Sequence, residues 1–222
     1  MGKWLYKRIK YLLSSLLEII YTEDRVCFIC ESHIEEAFPI CDNCNSYLPY
    51  LDKSVLEYNT ILKNTYSIFE FQGKIKEMVY GLKYNKEVDK AKIIGDIMAR
   101  FIEKEDISID IIIPIPMHRD KLLERGYNHS LLIAKRIGSV TGIPVETSLE
   151  KVKNTPNQVL LSGEERWYNV RGSLKCNTLY KNKNILLIDD VVTTCATAHF
   201  AALEIGEDNN VSLLSFATTK KF

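Results

Sequence analysis

The sequence predicts an α/β domain on a central parallel sheet flanked by helices, preceded by a small cysteine-rich module. Three observations carry this. From about residue 66 onward, apolar runs of strand length alternate with segments of helical periodicity, as parallel βαβ units require. The run from Ile109 to Ile115 is almost continuously apolar and is interrupted and followed by prolines, which suits a strand buried on both faces. Four of the six cysteines stand in two close pairs near the N-terminus, outside that alternation.

A chain of 222 residues, 46% hydrophobic and 26% charged, is long enough to bury a core and carry a small appendage. Lys and Arg together number 29, as do Asp and Glu, so the chain as a whole is not an electrostatic glove for nucleic acid and any basic patch is local. Lys3, Lys7, Arg8 and Lys10, and Lys151 with Lys153, are such spots; solvated faces explain them equally well.

The first twenty residues open basic and turn apolar. Ser14, Ser15 and Glu18 interrupt the apolar run and no small-residue cleavage site follows, so neither a secretion signal nor a membrane span is expected. Trp4, Ile9, Leu12, Leu13, Leu16, Leu17 and Ile20 recur at helical spacing. The segment reads as an amphipathic helix packed on the protein, with contact to a membrane surface or a partner groove as the alternative. No other stretch is apolar for long enough to span a bilayer.

The cysteine pairs come next, then a polar, irregular stretch over 45–64 that holds the boundary between an N-terminal module, 1–59, and the α/β domain, 60–222. Within that domain the text predicts a strand over 66–71, helices over 74–84 and 88–103, and a strand over 109–115. A helix over 128–140 and a short strand over 143–147 follow, then a helix over 162–170, a strand over 185–188, a helix over 196–205 and a closing strand over 211–218.

Cys27-Phe-Ile-Cys30 and Cys41-Asp-Asn-Cys44 have the spacing of metal knuckles. Thiolates at i and i+3 both face one ion across a tight turn, and a second pair completes a tetrahedral shell. A closed four-sulfur shell has no open position, so the expectation is a structural zinc in a reducing, cytoplasmic setting. His33 is near enough in sequence to replace one ligand, although four thiolates already suffice.

The segment from Ile185 to Thr197 carries the chemistry. Four apolar residues end in Asp189 and Asp190, and a hydroxyl-rich turn leads toward a helix. Ligands of open α/β sheets bind beyond the carboxyl ends of the strands. Amides at the helix start, with the Thr193, Thr194 and Thr197 hydroxyls, suit a phosphate. Adjacent carboxylates suit vicinal ribose hydroxyls or Mg²⁺. A plain strand-turn-helix with capping aspartates is the simpler alternative, but two acids followed by Thr-Thr-x-x-Thr exceed what capping requires.

These residues resemble the phosphoribosyl pyrophosphate signature of type I phosphoribosyltransferases. Together with the cysteine pairs, Gly81 to Tyr84, Pro114 to Arg119, Arg125 to Asn128, Asn157-Gln158 with Leu161, and Arg166 to Asn169, the chain resembles the ComF (ComFC) family of competence-associated proteins. The resemblance implies the type I phosphoribosyltransferase fold and a pyrophosphate loop at Met117, His118 and Arg119, with Arg125 and Asn128 nearby. It also implies a mobile loop over 151–166 and a ligand cradle of Asp189, Asp190, Val191, Val192, Thr193, Thr194, Cys195, Ala196 and Thr197. Asp189, Asp190, His118 and Arg119 are the expected catalytic residues, with Mg²⁺ beside the two aspartates.

Two functional classes follow. One is a phosphoribosyltransferase acting on a base or nucleotide; the other is a non-catalytic module that senses phosphoribosyl ligands and binds single-stranded DNA and DNA-processing partners. The family resemblance attaches either to natural competence, DNA uptake and transformation. Cys195 stands where the signature has glycine, which leaves less room for a phosphate beside the backbone. A thiol at a helix start has a lowered pKa, but plain packing is the favoured role for Cys195, and Cys176 is expected to be inert.

Overall fold

The computed structural model describes residues 26–35, 38–58, 60–154 and 163–220. The expected N-terminal helix, residues 155–162 of the loop over 151–166 with Asn157, Gln158 and Leu161, and the side chain of Arg166 lie outside the described residues. The chain divides into two compact units, Met1–Ser46 and Tyr47–Phe222.

In the first unit, Val26 and His33 form an antiparallel bridge. A single turn of helix, α1, spans Asp42–Asn45 and is capped by the Cys41 side chain, which accepts from the Cys44 amide.

The second unit begins with an extended stretch that runs antiparallel beside β1 (Thr65–Glu70), through bridges Tyr50↔Phe69 and Val55↔Tyr66. This pairing joins the residues from Tyr50 onward to β1 within the second unit. Helices α2 (Gly73–Tyr84) and α3 (Asp89–Lys104) lead to β2 (Ile111–Pro114). Then come α4 (Arg119–Arg125), α5 (His129–Thr141), β3 (Leu149–Lys151), α6 (Gly163–Val170) and β4 (Leu174–Cys176). The chain closes with β5 (Asn184–Val192), α7 (Ala196–Ile205) and β6 (Asn210–Thr218).

The main sheet has the order β1-β6-β5-β2, parallel throughout. Its central strands are apolar because both faces are covered: β6 is buried from Val211 to Thr218, the pattern of a sheet with helices on each side. Side chains alternate across β2, so that Ile111, Ile113 and Ile115 share one cluster with Leu187 and Leu213 and with Ala198, Ala201 and Ala202 of α7. Helix α5 packs on β2 and β5, and α3 packs on α5. Gly95 permits that last approach, since a Cβ there would stand 2.6 Å from the Arg136 side chain.

Most predicted elements are present, with three differences. The strand expected to end at Ile188 continues through both aspartates to Val192, because Asp189 and Val191 pair with Ser215 and Ala217 of β6. The strand expected over 143–147 is one parallel bridge, Ile112↔Val145. Helix α4 buries none of its residues, and β3 and β4 are three residues each; elements so short carry too few apolar positions for a period to be read.

Candidate functional site

The site is built at the carboxyl ends of β2 and β5. Where β2 leaves the sheet, His118 caps α4 by accepting the Asp120 amide at Nδ1 over 3.2 Å. Arg119 is exposed, whereas Met117 and His118 are half-buried. Helix α4 ends at Gly126 with φ of 89°, a left-handed turn that glycine adopts without strain. That turn delivers Asn128 as the cap of α5, its side chain accepting from the Ser130 and Leu131 amides and donating to the Ile115 carbonyl over 3.0 Å. The β2 exit and the start of α5 are thereby tied together.

The start of α5 meets β5. Ser130 Oγ donates to Asp189 Oδ1 over 3.0 Å. Asp190, 1% exposed, places Oδ2 2.8 Å from Lys83 Nζ and 3.1 Å from His129 Nε2, while Oδ1 accepts the Val191 amide. Arg125 Nη1 lies 3.0 Å from His129 Nδ1. Because arginine is always a donor, Nδ1 must accept, which leaves the proton on Nε2 facing Asp190.

The two aspartates have their pKa values pushed in opposite directions. Burial, reinforced by the neighbouring Asp190 charge, pushes Asp189 up to about 7. Burial alone would raise Asp190 too, but His129 in its protonated form and the Lys83 ammonium overturn it and hold that carboxyl below its ordinary value. Burial lowers His129 to about 4, so at neutral pH it is uncharged and Lys83 is the cation that keeps Asp190 ionised. Burial opposes the Lys83 charge, and Asp190 followed by Asp189 outweighs it, raising the ammonium's pKa.

Beyond the carboxylates, Thr193 and Thr194 turn the chain into α7 through Cys195, whose φ is 62°. The Thr193 carbonyl accepts from Tyr58 Oη over 3.0 Å. Thr193, Thr194 and Thr197 are half-buried; Cys195 and Ala196 are buried, as is Val192, and Val191 is half-buried. The Cys195 sulfur lies 3.8 Å from Thr65 Oγ1 inside the core. Burial pushes this thiol up to about 11, so the lowered pKa of a helix-start thiol is not realised.

Lys83, His129, Ser130 and Tyr58 are absent from the sequence-based site. Lys83 lies within the quoted 81–84 segment, and His129 and Ser130 directly follow 125–128, but nothing in the sequence says which of these side chains turns inward. Lys151 is also near: burial lowers its pKa, Lys121 adds to the effect and Asp189 opposes it.

In the first unit the sulfurs of Cys27, Cys30, Cys41 and Cys44 all lie within 4.8 Å of one another. The Ile29 and Cys41 amides donate to Cys27 Sγ, and the Cys44 amide to Cys41 Sγ, as suits thiolates. Without a cation the four cannot all ionise: contact with Ser32 lowers Cys30 to about 6, while Cys30 raises Cys44 to about 12. The donor set fits a tetrahedral metal. His33 is exposed and is not in the cluster.

A parallel sheet with paired carboxylates on one strand exit, a hydroxyl-rich turn into a helix and an arginine-bearing loop on the next exit is the arrangement that the sequence resemblance to type I phosphoribosyltransferases implies. No protein-family model matches the chain. Among curated proteins, the chain is similar to competence proteins of the ComF type. It is 27% identical over 223 residues to competence protein ComFC of Bacillus subtilis, covering 88% of this chain and 85% of that one. It is 23% identical over 185 residues to competence protein F of Haemophilus influenzae, covering 78% and 80%. Among solved structures, adenine phosphoribosyltransferase from Leishmania tarentolae aligns with a TM-score of 0.41 at 13% identity, over 72% of this chain and 78% of that one. Among the described residues no helix is long and apolar enough to cross a membrane.

Proposed function

We propose that the chain binds Mg²⁺ with phosphoribosyl pyrophosphate and transfers the phosphoribosyl group to a base or nucleotide acceptor, in the service of DNA uptake and transformation. The observation that carries this is the meeting of Asp189 with the α5 start through Ser130, while Asn128 ties that start to the Ile115 carbonyl, at the exits of two neighbouring parallel strands, where ligands of such sheets bind. Asp189 faces the ribose hydroxyls, the turn from Thr193 to Ala196 receives the 5′-phosphate, and Arg119 and Arg125 hold the pyrophosphate. As the C1 carbon gains positive character in the transition state, a fixed carboxylate nearby stabilises it and the arginines receive the charge that departs. Mg²⁺, carried with the pyrophosphate, neutralises the leaving group. In the first unit the four cysteines hold a structural zinc.

Calorimetry with Mg²⁺ and phosphoribosyl pyrophosphate tests the site. The wild type binds, and Asp189→Asn binds at least about tenfold more weakly, a loss of about 1.4 kcal/mol. Equal affinity in a folded Asp189→Asn chain removes the site. Pyrophosphate release measured against a panel of bases tests the transfer; binding without release for any base leaves a sensing module.

A further inference from the structure

Three potential metal ligands outside the cysteine cluster converge beneath the sheet exits. One ligand atom each of His129, Asp189 and Asp190 lies within 4.8 Å of the others. Imidazole with two carboxylates is a donor set that manganese and similar ions accept, once His129 takes the tautomer that bares Nε2 and Arg125 turns from Nδ1. Yet the position is already taken by a cation of the chain itself. Lys83 Nζ stands 2.8 Å from Asp190 Oδ2, with its side chain 21% exposed and that of Asp190 2% exposed.

Lys83 does not reach this point on a loose tether. The Tyr127 hydroxyl donates to the Leu82 carbonyl over 2.5 Å, and the Arg125 guanidinium lies 5.3 Å from the centre of the Tyr84 ring. The residues on either side of Lys83 are thus held by the loop that enters α5, the same loop that presents His129. Two segments far apart in sequence deliver the lysine and the histidine to one carboxylate.

We propose that Lys83 is the resident cation of the His129–Asp189–Asp190 cluster, a positioning residue that fixes Asp190 and keeps divalent metal out of the cluster when no ligand is bound. An ammonium already paired with Asp190 repels a second cation at that distance, and it occupies the carboxylate oxygen that a metal would need. Metal then enters this end of the sheet only with an anionic ligand, on the Asp189 side. That last statement rests on the phosphoribosyl pyrophosphate reading; the exclusion of metal by Lys83 does not.

The test is manganese binding, followed by electron paramagnetic resonance, to the full chain with its cysteine site loaded with zinc and no nucleotide or phosphate present. Wild type and Lys83→Arg, which restores the charge, take up no manganese at the cluster. Lys83→Met gains one manganese per chain with an affinity at least about tenfold above wild type, and adding His129→Ala to Lys83→Met abolishes the gain. Lys83→Gln keeps a hydrogen-bond donor one bond short of the ammonium while removing the charge, and it gains the same site, so the test survives if Lys83→Met fails to fold. The proposal is overturned if the wild type binds manganese at the cluster as tightly as the variants, or if a folded Lys83→Gln gains no ion. Failure of the phosphoribosyl pyrophosphate reading has a separate signature, the absence of ligand binding by wild type, and leaves the manganese comparison intact.

Discussion

Cys195 shows how one residue carries opposed demands. A φ of 62° in a residue with a Cβ costs roughly 1–2 kcal/mol, and glycine would relieve it. The thiol, however, is 4% exposed and packs in the cluster with α7, and glycine would lose that contact and add roughly 0.5–1 kcal/mol of chain entropy to the unfolded state. The two nearly cancel, so Cys195→Gly is expected to lie within about 1 kcal/mol of wild type. Cys195→Val, β-branched at a positive φ, is expected to lose more than about 2 kcal/mol. Urea denaturation separates the cases; a valine variant as stable as wild type would mean the left-handed turn is not kept. Because the thiol is buried and its pKa raised to about 11, an alkylating reagent near neutral pH should leave it unlabelled in the folded chain. The sulfur faces the core, so any tightening of ligand binding in Cys195→Gly would come from backbone adjustment rather than removal of a group from the phosphate cradle.

At the scale of elements, Asp190 joins α2, α5 and β5. Asp190→Asn leaves the half-buried Lys83 ammonium without its nearest counter-charge, an arrangement that costs up to about 3 kcal/mol, and a melting curve that matches wild type would show that Lys83 swings out to solvent. The same junction governs pH dependence. Asp189 binds its proton more tightly folded, at about 7 against an ordinary 3.8, so alone it makes stability fall as pH rises from about 4 to about 7. His129 does the reverse: it titrates at about 4 in the fold against an ordinary 6.5, so its contribution makes stability rise from about pH 4 to about 6.5. Each slope reaches about 1.4 kcal/mol per pH unit, and in the wild type they oppose one another. His129→Gln removes the rising contribution, so its stability relative to wild type should decline between about pH 4.5 and 6.5, measured by urea denaturation without added divalent metal. A constant difference across that window would mean that His129 is not buried in its neutral form.

For the whole molecule, the division into Met1–Ser46 and Tyr47–Phe222 separates a small unit that carries the four-cysteine cluster from one with a four-stranded sheet. A unit this small needs a metal to stay folded, so zinc analysis of protein prepared under reducing conditions is expected to give one ion per chain. Cys27→Ser with Cys30→Ser should abolish it. Chelation should then unfold the first unit while leaving the main melting transition of the second in place. Stoichiometric metal in the double serine variant would show that these sulfurs are not its ligands.

The sequence by itself determined the layout: the alternation that yields a parallel sheet, the knuckle spacing that gathers four sulfurs, and the acid-hydroxyl run that marks one strand exit. Those are local signals, written in periods and short spacings. Tertiary structure decided which side chains turn inward. It carried β5 past the two aspartates through its pairing with β6, shifted the pKa values of Asp189 and Asp190 in opposite directions, and brought Lys83, Ser130 and His129 to them. It also turned Cys195 into the core. The physical reason is that a buried carboxylate takes its charge and orientation from groups that fold against it. Here those groups lie about sixty residues or more away along the chain, beyond the reach of any local pattern.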